Sequence, residues 1–135
     1  MKKVIETQTT GIDAIELLMD ETLCEGRIVI PKMMVKQAGG VNQKLKAGKK
    51  YELMMRIAEM FPIELIETNE NAVADNSIIL EDDTPEKKQD YGWKTDCYIA
   101  SKYAEELQKR NLFDVVIQTI LEDGNVRKNY NETVY

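Results

Sequence analysis

A chain of 135 residues, 43% hydrophobic and 31% charged, has the size and composition of one globular domain that buries a core without disulfides or metal. Its net charge of −6, with no basic block bearing interleaved aromatics, argues against nucleic acid and anionic lipid as partners. The absence of histidine removes the commonest general base, the commonest zinc ligand and every Ser-His or Cys-His nucleophile pair.

Residues 1–10 are polar apart from Val4 and Ile5 and contain no apolar run, so neither a leader nor a membrane span is expected. Ile12, Ile15, Leu18 and Met19 then fall at helical spacing behind Thr9 and Thr10, which predicts a threonine-capped helix over 11–21. The β-branched run at 27–30 predicts a buried strand stopped by Pro31. Pro31 opens a short helix over 32–38 with Met33, Met34 and Val35, and Gly39-Gly40 ends it, glycine being the residue that reaches left-handed geometry without strain.

After a loop over 41–48, the clearest helix covers 49–61. Tyr51, Met54, Met55, Ala58 and Phe61 make its apolar stripe, widened by Leu53 and Ile57, while Lys49, Glu52, Arg56 and Glu59 fall on the wet side. Glu52 and Arg56, four apart, are expected as an exposed ion pair. Pro62 stops the helix, 63–66 reads as a strand, 67–76 as a polar loop, 77–80 as a short strand and 81–88 as a charged surface loop.

Helical periodicity returns between Trp93 and Arg110, with a core stripe of Ile99, Ala100, Tyr103, Ala104 and Leu107 and wet pairs Glu105–Lys109 and Glu106–Arg110. Asn111 reads as a turn before a last helix carrying Leu112, Phe113, Val116, Ile117, Ile120 and Leu121, ended near Asp123-Gly124. The polar tail 125–135 holds Tyr130, Val134 and Tyr135 as docking candidates. The sum is an α+β domain over 1–124, mostly helical, with a small two- or three-stranded sheet. Cys24 and Cys97 sit among apolar neighbours outside any Cys-x-x-Cys motif, so free buried thiols and a cytoplasmic location are expected.

One segment carries more than periodicity. Residues 27–66 hold a strand (Ile28 to Ile30), the Gly39-Gly40-Val41-Asn42 turn, Leu45, Gly48, and then Tyr51-Glu52-Leu53 with Arg56. This resembles the acceptor-side segment of family 2, GT-A type glycosyltransferases, and Gly92 to Tyr98 more loosely resembles the tail region of some bacterial members. The resemblance implies acceptor-binding candidates Gly39, Gly40, Tyr51, Glu52, Arg56 and Trp93. It also implies a catalytic Asp just before Tyr-Glu-Leu, the general base for the acceptor hydroxyl. Here that position is Lys50, preceded by Lys49, and a lysine ammonium has no free lone pair at neutral pH. The donor half of the family, with its strand-borne Asp-x-Asp for metal and sugar diphosphate, has no counterpart in these residues. No catalytic residue, metal or cofactor is therefore assigned.

The expected function is a non-catalytic glycosyltransferase-like module, partnered by a donor-binding half or a glycan acceptor. The alternatives are half of a split glycosyltransferase active only with a partner chain, with Glu52 as its base, or an unrelated small binding domain. Helical geometry turns Glu52 about 200° from Lys50. Lys46, Lys49 and Lys50 are anion-binding candidates, because two lysines at a helix start are unfavourable by a few tenths of a kcal/mol each unless an anion or carboxylate answers them. Glu81, Asp82 and Asp83 are read as a solvated loop, since adjacent carboxylates point different ways. Trp93 and Tyr91 could stack on a sugar ring, with core anchoring the commoner use of a lone tryptophan.

Overall fold

The computed structural model describes residues 2–68 and 76–122. The helix stop at Asp123-Gly124, the tail with Tyr130, Val134 and Tyr135, and most of the 67–76 loop lie outside the described residues. The fold is α+β with more helix than strand, and its contacts cluster into two compact units: residues 1–44 with 49–82, and residues 45–48 with 83–135.

The first unit is built on a four-stranded mixed sheet of order β3-β1-β2-β4. The strands are β1 (Lys2–Ile12), β2 (Ile28–Pro31), β3 (Ile63–Thr68) and β4 (Ser77–Leu80). β1 runs parallel to β2 and antiparallel to β3, with a register break between Thr7 and Ile12, and β2 pairs antiparallel to β4 with Ile28 opposite Leu80. The strand at 2–12 is one more than the polar reading of residues 1–10 allows. It exists because partners on both sides satisfy its backbone, which local composition does not reveal.

Thr10 falls inside β1, so the first helix starts later than expected. α1 covers Ala14–Met19, and its cap is Asp13, whose carboxylate accepts the Glu16 N–H at 2.9 Å. A 3₁₀ turn, Glu21–Cys24, follows behind Asp20. α2 (Lys32–Gln37) ends in a Schellman motif, with Gly40 N–H bonded to Val35 O at 2.8 Å and Gly39 N–H to Lys36 O at 3.1 Å. Gly39 and Gly40 have φ of +95° and +86°, the conformation for which glycine was expected there.

α3 (Lys49–Met60) is the central helix of this unit. Leu53, Met54 and Ile57 are fully buried alongside Leu17, Ile28, Ile30 and Ile63. Of the expected wet side, Glu52 is buried, Lys49 and Arg56 are half-buried and Glu59 is exposed; Lys50 is buried as well. Burial nearly all round is the mark of a helix enclosed in a core rather than laid upon one.

The second unit is helical: α4 (Pro85–Lys87), a π-turn (Lys88–Gly92), α5 (Trp93–Lys102), α6 (Ala104–Lys109) and α7 (Phe113–Glu122). The single helix expected between Trp93 and Arg110 breaks at Tyr103, whose φ of −103° and ψ of 11° leave the α region. Ile99, Ala100, Leu107, Val116 and Ile120 make its core. Asn111, at φ 58°, closes α6 with a second Schellman motif, in which Leu112 N–H bonds Leu107 O at 2.8 Å. The i,i+4 pairs Glu105–Lys109 and Glu106–Arg110 form at 3.8 and 2.9 Å. Neither cysteine forms a disulfide among the described residues, Cys24 being buried and Cys97 partly so. Among the described residues no helix is long and apolar enough to cross a membrane.

Candidate functional site

Lys50 is the first buried charge of α3. Lys50 is 8% exposed, and its ammonium donates to Gly26 O at 2.6 Å and pairs with the Asp82 carboxylate. Asp82 in turn accepts the Gly26 N–H through both oxygens, at 3.1 and 3.0 Å. The register of β2 with β4 places Gly26 opposite Asp82, so this clip continues the ladder past the strand ends, where Gly26 takes φ +88°. A helix-start lysine that reads as wet is therefore enclosed, and the carboxylate that answers it comes from a loop read as solvated.

The other loop acids have separate partners. Glu81 pairs with Arg27 at 3.5 Å in the exposed zone, and Asp83 accepts the Gly48 N–H at 2.8 Å. No group of three His, Cys, Asp or Glu side chains is placed to hold a metal ion among the described residues. Lys49 is half-buried and donates to the Gln43 side chain at 3.2 Å.

The asymmetry of the clip makes a prediction. The Lys50 side chain is 9% exposed and that of Asp82 is 58% exposed. Asp82→Ala strands a buried ammonium on one carbonyl and is expected to cost about 2–4 kcal/mol, whereas Lys50→Met leaves a carboxylate that water reaches and is expected to cost under about 1 kcal/mol. Urea unfolding of the two variants checks the order, and equal losses would refute the enclosure of Lys50.

The second buried charge pair corrects the reading of Glu52 and Arg56 as exposed. Glu52 is 4% exposed, and Arg56 grips its two carboxylate oxygens as a fork, Nε at 2.6 Å and Nη2 at 2.9 Å. The remaining nitrogen, Nη1, donates to Ala38 O at 2.7 Å, just before Gly39. A β-carbon on Gly39 would stand 3.7 Å from that nitrogen. Thus Gly39, Glu52 and Arg56 do come together: the end of α2 at Ala38 and the Tyr-Glu-Leu-x-x-Arg helix are two halves of one hydrogen-bonded joint, while a β-carbon on Gly40 would meet nothing within 4 Å. Tyr51 packs elsewhere on α3, buried, with its hydroxyl donating to Leu17 O at 3.3 Å.

Trp93 and Tyr91 belong to the second unit, with Lys46. The Lys46 ammonium lies 4.9 Å from the Tyr91 ring centroid, and the Lys94 ammonium lies 5.8 Å from it and 5.5 Å from the Trp93 ring. On the same helix, burial first and Asp96 second push the Cys97 thiol up from its ordinary value, which keeps it a poor nucleophile at neutral pH.

Comparison with protein families, curated proteins and solved structures gave no match.

Nothing in the sequence singles out Gly26 or Thr95, Asp82 reads there as solvated, and Gly48 enters only through the resemblance. Thr95, 4% exposed, donates its hydroxyl to Ala47 O at 2.7 Å and locks the 45–48 stretch that carries Lys46 and Gly48. The one available signal was conflict: two lysines opening a helix demand a carboxylate, and 81–83 is an acidic run that reads as solvated for want of any other partner.

Proposed function

We propose that this chain is a non-catalytic module related to the acceptor side of family 2 glycosyltransferases. It works in the cytosol by holding a glycan acceptor or by completing a donor-binding half. Two observations support the kinship. Residues 27–66 run strand, helix, turn, helix, strand, in the order the resemblance requires. The Gly39-Gly40 turn and Arg56 are also joined by hydrogen bonding at Ala38.

The observation that carries the non-catalytic reading is Lys50. A general base needs a free lone pair within reach of the acceptor hydroxyl. Lys50 instead presents a buried ammonium already committed to Asp82 and the Gly26 carbonyl. Its replacement for an Asp gives up the roughly 10²–10⁴-fold that base assistance supplies. The split-enzyme alternative needs Glu52 as base, and both oxygens of Glu52 are held by Arg56.

The purified chain is therefore expected to turn over no uridine or guanosine diphosphate sugar, alone or with simple glycan acceptors. Mixed with donor-binding halves, it is expected to form a complex without restoring transfer through its own residues. Transfer of a hexose by the chain alone, abolished by Lys50→Ala, would overturn the proposal.

A further inference from the structure

We infer that the corner of the second unit formed by Lys46, Tyr91, Trp93 and Lys94 binds a phosphate group, free or carried on a small ester. The inference stands apart from the glycosyltransferase reading and shares with it only Trp93, which it does not use as a sugar-stacking ring. Lys46 and Lys94 are 48 positions apart, yet the fold sets both ammonium groups against one tyrosine ring. The placement is built. Ala47 beside Lys46 is fully buried and held by Thr95, Gly48 is held by Asp83, and Thr95 directly follows Lys94.

Tyr91 is delivered by the π-turn Lys88–Gly92, a distortion of helical geometry that recurs at functional sites. Two like charges on one ring repel, and neither lysine has an ion pair among the described residues. The hydrogen bonding is incomplete too. The Trp93 indole N–H is hidden from solvent and has no acceptor among the described residues, a costly state for a donor. A phosphate monoester carries about −1.5 to −2 charge at neutral pH and three acceptor oxygens, which matches two ammonium groups. A neutral sugar offers no charge to either lysine.

Trp93 is the chain's one tryptophan, so its fluorescence reports on this corner without labelling. The full chain is titrated with inorganic phosphate, glucose 6-phosphate and glucose, and phosphorus NMR line widths are read in parallel in case the emission is silent. Saturable responses to the two phosphate probes and none to glucose are expected, weakened about tenfold or more in Lys46→Met/Lys94→Met. Both lysines are exposed, so the double variant retains its packing. A tighter response to the ester names an ester as the occupant, and an equal one names free phosphate. No saturable response in either readout, an equal response to glucose, or affinity unchanged in the double variant would overturn the inference.

Discussion

Gly48→Ala is expected to destabilise the second unit by roughly 2–5 kcal/mol, enough to bring a domain of ordinary stability near its unfolding threshold. Two separate costs meet at this residue. Its φ of +74° is left-handed, which charges an L-residue about 1–2 kcal/mol. Its added β-carbon would also stand 2.6 Å from Thr95 Cγ2 and 3.1 Å from Thr95 Cβ, a collision of the kind that costs about 1–3 kcal/mol in a packed core. Thr95 has little room to yield, being buried and hydrogen-bonded to Ala47. Gly40→Ala is the control. It has φ +86° with nothing within 4 Å of the new carbon, so it carries the backbone cost alone. Thr95→Ser in the Gly48→Ala chain removes the 2.6 Å contact, keeps the hydroxyl, and is expected to recover part of the loss. Urea midpoints measure all three. If Gly48→Ala were no worse than Gly40→Ala, the close approach of Thr95 would carry no energy.

What the sequence made legible is what depends on neighbours in the chain. The glycine pair ending α2, Asn111 ending α6, the amphipathic core of α5 and the extent of β4 all follow from local backbone preference or periodicity. The cap of α1 shows the limit of such rules. Thr10 and Asp13 both satisfy the pattern, and the choice fell to Asp13 because Thr10 was recruited into a strand. That strand was itself illegible, since its pairing lies with residues 28–29 and 63–68, far along the chain. The charges of α3 were misread for the same reason. Glu52 and Arg56 have the spacing of a solvent pair, and only the fold reveals that Ala38 completes their coordination. Lys50 looked wet because its partner, Asp82, is 32 residues away. Of the candidate site, the members were visible while their use was not: helical spacing shows which residues share a face, not whether that face is enclosed.

Glu52→Ala tests that enclosure most severely, and it is expected to cost about 3–5 kcal/mol. Removing the carboxylate strips the Arg56 guanidinium of both fork partners while 81% of its side chain stays out of water, leaving only the Ala38 carbonyl. A guanidinium cannot shed its charge, so the loss should be the same at pH 5 and pH 8. Arg56→Met makes the opposite vacancy, a carboxylate 5% exposed with no cation. A buried carboxylate without a partner relieves itself by taking up a proton, which an unfolded chain holds less readily. The folded variant then binds more protons than the unfolded one, so its stability rises as pH falls and its deficit shrinks toward pH 5. The double variant Glu52→Leu/Arg56→Met removes both charges and should return close to the parent, short of it by about 1 kcal/mol for the abandoned Ala38 carbonyl. Chemical denaturation of the three variants at two pH values separates this from a surface pair, for which every variant would lie within about 1 kcal/mol of the parent and none would depend on pH. Such a flat result would mean that the Glu52–Arg56 pair is not enclosed and adds no more to stability than an exposed pair.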